Sequence, residues 1–158
     1  MTHSLLLVDA DATGHLGARL ADAVLTAEQF SLSVALQGDL GAGKSTLTRG
    51  FLRAMGHEGP VPSPTYTLLE PYGFKGFTVN HLDLYRLADA SELEPLGWRD
   101  LDDSIRLVEW PERAAGLLES LDLRITLSWA EQGRQADVVA NTSTGQSILR
   151  ALFKNDHT

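Results

Sequence analysis

The residues with the clearest chemical potential lie in one glycine-rich segment that reads GDLGAGKST from Gly38 to Thr46. The segment matches G-x-x-x-x-G-K-[ST], the pattern of a phosphate-binding loop. Its glycines let backbone N–H groups approach phosphate oxygens, Lys44 offers a positive charge to the β- and γ-phosphates, and the Ser45 hydroxyl can bind Mg²⁺. A glycine-rich turn without a ligand has no need of Lys followed by Ser. The segment therefore predicts a site for nucleotide phosphates.

The elements that must hold this loop are indicated on both sides of it. Leu32, Val34 and Leu36 predict a short apolar strand just before Gly38. After the loop, apolar residues recur at helical spacing and predict a helix; they are Leu47, Phe51, Leu52 and Met55. Gly56 is expected to end this helix. Strand, loop and helix in this order would point the N-terminus of the helix at a bound anion.

Two carboxylates follow apolar segments that are typical of strands. Asp83 stands near the end of Phe77–Leu84, and Glu109 directly follows Ile105–Val108. An acid at a strand end close to a phosphate loop is where a Mg²⁺-holding carboxylate is expected, so Asp83 is a candidate for that role. Ligands of open α/β sheets bind beyond the carboxyl ends of the strands, so Glu109 is a candidate for holding Mg²⁺ or orienting water. From spacing alone, Asp83 is equally well explained as a solvated acid or as a partner of Arg86.

Three further features have a structural and a functional interpretation. Thr13 is most simply a helix N-cap, but it precedes the strand of the phosphate loop by one helix and is also a candidate for contact with the nucleotide. The segment His57–Tyr66 contains three prolines. It is either a stiff surface loop or a loop that changes when the γ-phosphate leaves. Trp110 is either core or part of the site, because it stands beside Glu109.

Composition limits the class of protein. The 158 residues are 43% hydrophobic and include no cysteine, which predicts a single domain over 1–158 with a frayed tail at 155–158 and excludes disulfides. The net charge of -8 argues against unaided binding of nucleic acid. The sequence shows no membrane-spanning run or secretory signal, so we expect a cytoplasmic protein.

The order of the predicted elements indicates the fold class. We predict an α/β fold, a single P-loop NTPase-like domain of three layers. Its central sheet is mixed and mostly parallel, flanked by helices, with an antiparallel C-terminal hairpin. The predicted strands and final helix outside the loop region are Leu5–Val8, Thr67–Glu70, Phe77–Leu84, Leu121–Trp129, Ala136–Ala140 and Gly145–Phe153.

Two local signals predict how the middle of the chain is connected. Pro71 to Gly73 is expected to turn the second of these strands into the third, because proline and glycine favour turns. Ser91 and Glu94 have the spacing of a capping box, which predicts a short helix that ends at Gly97.

Several segments in the same order resemble the bacterial TsaE (YjeE) family, and together they cover nearly the whole chain. They are GDLGAGKST at 38–46, SPTYTLLEPY at 63–72, HLDLYRL at 81–87 and LVEWPE at 107–112, with T-x-x-L-G at 13–17 and a Gly-Arg pair at 133–134. The resemblance implies a small ATPase that uses ATP/ADP and Mg²⁺ and is needed for N6-threonylcarbamoyladenosine at position 37 of ANN-decoding tRNAs. The implied partners are TsaB and TsaD, whose heterodimer transfers the threonylcarbamoyl group, holds the tRNA and is reset by this subunit between turnovers.

The resemblance also implies roles for the phosphate loop and the acids. Ser45 and Glu109 would hold Mg²⁺, and Asp83 would be a further metal-side or catalytic acid. Thr65 would be the switch residue and, with Lys44 and the two acids, would complete the catalytic set. The phosphates would be bound by Gly41, Ala42, Gly43, Lys44, Ser45 and Thr46.

Contacts to the rest of the nucleotide are implied in the same way. Thr13 would contact the base or sugar side, and Trp110 and Arg134 are further candidates for nucleotide contact. At Asp137 the chain departs from the family pattern, which often has arginine there. The resemblance therefore assigns no nucleotide or partner contact to this position.

Two other classes share the phosphate loop. A small-molecule kinase usually has a mobile lid with several basic residues, whereas the arginines at 86, 99, 106 and 113 are spread singly. A GTPase switch reads guanine with N-K-x-D, which the sequence lacks, and its D-x-x-G element follows the loop, whereas Asp11 to Gly14 precedes it. With no arginine finger indicated, we expect weak turnover by the isolated chain.

Overall fold

A computed structural model describes residues 2–154, which form seven strands and five α-helices. The tail predicted at 155–158 lies outside these residues. The strands are β1 (Thr2–Leu7), β2 (Leu32–Gln37), β3 (Leu69–Phe74), β4 (Phe77–Asp83), β5 (Ile105–Glu109), β6 (Leu123–Trp129) and β7 (Arg134–Ala140). The helices are α1 (Ala10–Ala27), α2 (Lys44–Ala54), α3 (Leu93–Leu96), α4 (Leu117–Ser120) and α5 (Ser143–Leu152).

The strands form one mixed sheet in the order β1-β7-β6-β2-β5-β4-β3. The four central strands are parallel, because β2 pairs in parallel with both β5 and β6, and β5 with β4. Antiparallel pairs flank them, β6–β7–β1 on one side and β3–β4 on the other. This arrangement confirms the predicted α/β class, the mixed sheet and the C-terminal hairpin.

Helices cover the two faces of the sheet because side chains alternate along each buried central strand. Val34 and Leu36 of β2 pack into the larger apolar cluster with residues of α1, α2 and α5. Ala35, between them, packs into the smaller cluster with Leu117 of α4. Each fully buried Leu or Phe in these clusters stabilises the fold by about 1.5–3 kcal/mol. Within residues 2–154, no helix is long and apolar enough to cross a membrane.

Glycines allow α1 and α2 to touch directly. A Cβ at Gly17 would lie 2.1 Å from the carbonyl oxygen of Leu47, and one at Gly50 would lie 2.1 Å from that of Gly14. Only glycine permits such an approach without moving a helix backbone. The contact fixes the start of α1 against the helix that follows the phosphate loop.

The helix α1 begins four residues earlier than an N-cap at Thr13 would require, so that prediction is wrong. Asp9 is the N-cap, and its carboxylate accepts a hydrogen bond from the Ala12 N–H at 2.8 Å. An Asp is as good an N-cap as a Thr, and the apolar spacing of α1 did not separate the two. Thr13 is thereby left on the first turn of α1, where its side chain is buried.

The hairpin of β3 and β4 is present, but its turn was misplaced. Pro71 and Gly73 lie within β3 and pair with Asn80 and Thr78 of β4. Because β3 is an edge strand, a proline there need not remove a hydrogen bond from the sheet. The turn is formed by residues 75–76, where Gly76 has φ of +89°.

The capping box predicted at Ser91 and Glu94 is also wrong. Asp89 caps a short 3₁₀ turn (Ala90–Glu92) by accepting hydrogen bonds from the backbone N–H and the hydroxyl of Ser91. The predicted end of the helix is confirmed, because Gly97 follows α3 with φ of +85°.

Candidate functional site

The phosphate loop lies between the end of β2 and the start of α2. Gly43 precedes α2 with φ of +115°, a conformation that side chains with a Cβ rarely adopt. The helix α2 has 11 residues, so the positive end of its dipole and the free N–H groups of its first turn lie beside the loop. The loop therefore has the local geometry that its sequence predicted.

The two carboxylates meet beside this loop because they end adjacent parallel strands. Asp83 ends β4, Glu109 ends β5, and the two residues are paired in register. Both residues are buried, with 5% of Asp83 and 4% of Glu109 exposed. Together they line a cavity of about 200 Å³, whose other walls are Leu40, Gly41, Gly43, Lys44, Ser45, Thr46, Ser63, Thr65 and Trp110.

Lys44 is buried at the centre of this site. Its Nζ donates to the carbonyl oxygen of Gly38 at 2.7 Å and lies 3.9 Å from the centre of the Trp110 ring. Burial lowers the pKa of the Lys44 ammonium, although the carboxylates of Glu109 and Asp83 act in the opposite direction. A lysine ammonium has three N–H donors, and only one of them is bound to a carbonyl oxygen here. The remaining donors and the positive charge can attract a phosphate.

Asp83 is held by the loop before β3 and by the turn after β4. Its carboxylate accepts a hydrogen bond from the Tyr85 N–H at 2.9 Å and one from the Thr65 hydroxyl at 3.3 Å. Arg86 instead lies over the ring of Tyr66, at 4.2 Å. With only 5% of Asp83 exposed, the interpretations of this residue as a solvated acid or as a partner of Arg86 are wrong.

Glu109 has a partner that the sequence analysis missed. Its Oε2 lies 2.6 Å from Nε2 of His81, and both side chains are buried. The signal was available, because His81 stands two residues before Asp83 on the same strand and must share its face. The histidine and the two acids therefore lie on the same side of the sheet as α2.

The proline-rich segment is attached to the end of β4. The Ser63 and Thr65 hydroxyls lie 2.8 Å apart, and Thr65 donates to Asp83. Leu68 has φ of +66°, and its N–H donates to the carbonyl of Pro64 at 2.7 Å. Such a positive φ is uncommon for a residue with a bulky side chain. Thr65 therefore links the Asp83 carboxylate to the proline-rich segment.

Trp110 belongs to the wall of the cavity. Its φ of +56° is unfavourable for an aromatic residue and turns the chain directly after Glu109. The ring contacts Lys44 on one side and Tyr85, with 5.0 Å between ring centres, on the other. Of its two interpretations, the structure supports lining of the site.

A second cavity, of about 260 Å³, adjoins the outer side of the loop. It shares Gly41, Gly43 and Thr46 with the first cavity and is also lined by Thr13 and Arg134. Its remaining walls are Val8, Asp9, Ala10, Ala42 and Gly133. Twelve residues were predicted to act in catalysis, nucleotide binding or Mg²⁺ binding, and each of them lines one of these two adjoining cavities.

Arg134 contacts the loop itself. Its Nε donates to the Ala42 carbonyl and its Nη2 to the Gly41 carbonyl, both at 3.2 Å. The guanidinium carbon lies 3.3 Å from the centre of the Trp129 ring, a contact that the sequence analysis did not predict. These contacts brace the outer side of the phosphate loop from β7.

Asp137, where the family pattern often has arginine, lies farther along β7. Its carboxylate accepts hydrogen bonds from the Ser4 hydroxyl at 2.5 Å and from the Gln135 amide at 3.2 Å. Ser4 and Asp137 are paired in register between β1 and β7. The aspartate thus links two strands and is absent from the walls of both cavities.

The donor set fits Mg²⁺. Ser45, Asp83 and Glu109 offer oxygen ligands only, which suit a hard cation. Among residues 2–154, no group of three or more His, Asp or Glu side chains is placed to hold a metal ion unaided. Mg²⁺ usually binds through one or two carboxylates together with substrate phosphates and water, so two acids beside a phosphate loop match its needs.

The sequence of this chain is similar to those of known proteins. A family model described as "Threonylcarbamoyl adenosine biosynthesis protein TsaE" matches residues 7–136. The tRNA threonylcarbamoyladenosine biosynthesis protein TsaE of Haemophilus influenzae is 47% identical over 124 residues, which are 77% of this chain and 78% of that protein. The protein of the same name from Nostoc is 34% identical over 151 residues, 92% of this chain and 90% of that protein.

A solved structure has a similar fold. The crystal structure of Bacillus subtilis YdiB has a TM-score of 0.77 to this chain and 25% sequence identity, and the match covers 99% of this chain and 97% of that chain. The fold, the family model and the identities agree. The chain belongs to the TsaE family of tRNA threonylcarbamoyladenosine biosynthesis proteins.

Proposed function

We propose that this chain is a Mg²⁺-dependent ATPase that supports N6-threonylcarbamoylation of adenosine 37 in ANN-decoding tRNAs. It would act on a TsaB–TsaD pair in the cytoplasm and allow that pair multiple turnovers. The observation that carries the ATPase proposal is the meeting of Lys44, Asp83 and Glu109 in one cavity at the start of α2. The partner proposal is supported by membership of the family and by the acidic charge of the chain, which leaves tRNA binding to the pair.

The phosphate chain of ATP would lie along the phosphate loop. The N–H groups at the start of α2 would bind phosphate oxygens, and Lys44 would leave the Gly38 carbonyl and the Trp110 ring for the β- and γ-phosphates. The nucleoside would extend into the second cavity, beside Thr13. Arg134 would keep the loop in place from outside.

Ser45 and Glu109 would hold Mg²⁺, and Asp83 would lie on the metal side or orient the attacking water. When bound, the ion would neutralise charge that develops on the transferring phosphoryl group. The Thr65 hydroxyl, bonded to Asp83, would report the loss of the γ-phosphate to the proline-rich segment. That segment would therefore be the switch that a partner can read.

Turnover by the isolated chain would be weak because no guanidinium is in place to stabilise the transferred phosphoryl group. In the described part of the chain, no arginine lines the cavity that holds Lys44. Arg86 and Arg113 lie over the rings of Tyr66 and Tyr85. An arginine finger contributes about 10³–10⁵ in kcat in related chemistry, so its supply or replacement by a partner would be a large effect.

The proposal is tested by following labelled ATP with the purified chain. We expect slow release of inorganic phosphate that requires Mg²⁺, is abolished by Lys44→Ala and prefers ATP over GTP. Phosphate found on a nucleoside or sugar from a panel of acceptors would instead identify a small-molecule kinase. A strong preference for GTP would identify a GTPase switch and refute the proposal.

A further inference from the structure

His81 is a buried polar side chain for which the proposed function has no role. Only 1% of the residue is exposed, and it lies on the same face of β4 as Val79 and Asp83. Its Nε2 lies 2.6 Å from Oε2 of Glu109, which is also buried. A nitrogen and a carboxylate oxygen at this distance need a proton between them. A carboxylate only accepts, so with Glu109 as the carboxylate this proton is the Nε2–H of His81, which donates to Oε2.

The rest of the imidazole has no comparable contact. Its other nitrogen, Nδ1, is buried and has no hydrogen-bond partner among the described residues. A buried polar atom without a partner costs stability, and an aliphatic residue at this position would avoid that cost. Packing alone therefore does not explain a histidine here. The contact with Glu109 does, because it fixes one of two carboxylate oxygens at the wall of the cavity.

Building on the Mg²⁺ site of the proposed function, we propose that His81 is a positioning residue for that site. By engaging Oε2, His81 leaves Oε1 of Glu109 as the oxygen for the ion and prevents the carboxylate from rotating. The histidine acts through Glu109 and touches neither nucleotide nor ion. Partners of this kind typically change metal affinity about 10–100-fold when they are removed.

The test measures Mg²⁺ affinity apart from turnover. MgCl₂ is titrated into the full chain with ADP that carries a fluorescent N-methylanthraniloyl group, and affinity for the same nucleotide is measured in EDTA. Two variants remove the hydrogen-bond donor to Glu109: His81→Asn has a shorter side chain that withdraws it, and His81→Met keeps the volume without a donor. A third variant, His81→Gln, retains an amide N–H near the position of Nε2. Asn80→Ala is a matched control, because Asn80 is a buried residue of the same strand that donates to Ser104 at 2.8 Å.

We expect His81→Asn and His81→Met to raise the half-saturating MgCl₂ concentration by about tenfold or more, with affinity in EDTA within about twofold of the parent chain. His81→Gln should stay within about threefold of the parent chain, because the donor is restored. Asn80→Ala should lower the melting temperature without changing the MgCl₂ midpoint. In the background of Glu109→Ala, His81→Asn should have no further effect on that midpoint, since the side chain that His81 positions is gone.

Three results would overturn the inference while the proposed function stands. They are an unchanged MgCl₂ midpoint in His81→Asn and His81→Met, equal damage in His81→Gln and His81→Met, and a loss of affinity in EDTA that matches the loss with MgCl₂. The last two would show that the imidazole matters for packing only. A parent chain whose nucleotide binding ignores MgCl₂ would overturn the proposed function, and this inference with it.

Discussion

Replacing Arg134 tests whether the phosphate loop is held in shape from outside. The side chain makes two hydrogen bonds to loop carbonyls, both at 3.2 Å, and stacks on Trp129. For a partly exposed group, each hydrogen bond contributes about 0.5–1 kcal/mol and the ring contact about 0.5–1 kcal/mol. Their sum is about 1.5–3 kcal/mol. This is an upper bound on the free energy of nucleotide binding that is lost when Arg134 is replaced and the loop must become ordered on binding.

We therefore expect Arg134→Ala to raise the Kd for ATP by about tenfold, which corresponds to about 1.4 kcal/mol. Arg134→Lys should be intermediate, because a lysine ammonium cannot donate to two carbonyls as a planar fork does. Trp129→Ala removes only the stacking partner and should raise Kd by about two- to fivefold. The assay is equilibrium binding of a fluorescent ATP analogue, with thermal melting of the nucleotide-free chain as a control for stability.

The outcome separates two roles for Arg134. A brace on the loop should raise Kd and KM and leave kcat nearly unchanged, because the contacts persist through the reaction. A fall in kcat at unchanged Kd would show that the guanidinium contacts the transferring phosphate instead, and would refute the reasoning. An unchanged Kd together with a lower melting temperature would show that the contacts stabilise only the fold.

Three further substitutions follow from the same geometry. Lys44→Ala should lower affinity for ATP by about tenfold or more in a binding titration, because it removes the buried cation of the phosphate site; unchanged affinity would place the phosphates elsewhere. Glu109→Ala should reduce Mg²⁺-dependent turnover by about 10²-fold while affinity for ATP falls much less, and normal turnover would refute the metal assignment. Gly17→Ala puts a Cβ 2.1 Å from a backbone oxygen of α2 and should lower the free energy of unfolding by about 2–3 kcal/mol, whereas an unchanged melting curve would contradict the close helix contact.

The parts of the site that the sequence predicted are those that local rules control. The phosphate loop is contiguous, so its residue types alone specify a turn before a helix. Asp83 and Glu109 could be predicted to lie near the phosphate loop, because the carboxyl ends of parallel strands meet at one edge of a sheet. Their direct pairing in register depends on how β4 and β5 align, and the sequence contains no local signal for that.

What the sequence did not reveal depends on contacts between distant segments. Contact between Arg134 and the nucleotide stays a prediction. The sequence could not reveal that its guanidinium donates to carbonyls more than ninety positions away, with the Trp129 ring beside it. His81 resembles any polar residue of a strand until the fold places it against Glu109. The turn predicted at Pro71 failed for a related reason, because only the position of β3 at the edge of the sheet makes a proline acceptable there.

The central proposal is a partner-gated ATPase, and ATP hydrolysis with and without the partners tests it most directly. The rate would be measured for the chain alone, with a TsaB–TsaD pair, and with the pair plus tRNA, using Lys44→Ala as the control. We expect a low rate alone that rises by about 10²-fold or more with the pair, which would place the missing catalytic element at an interface. A rate unchanged by the pair and tRNA would separate the ATP chemistry from tRNA modification and contradict the proposal.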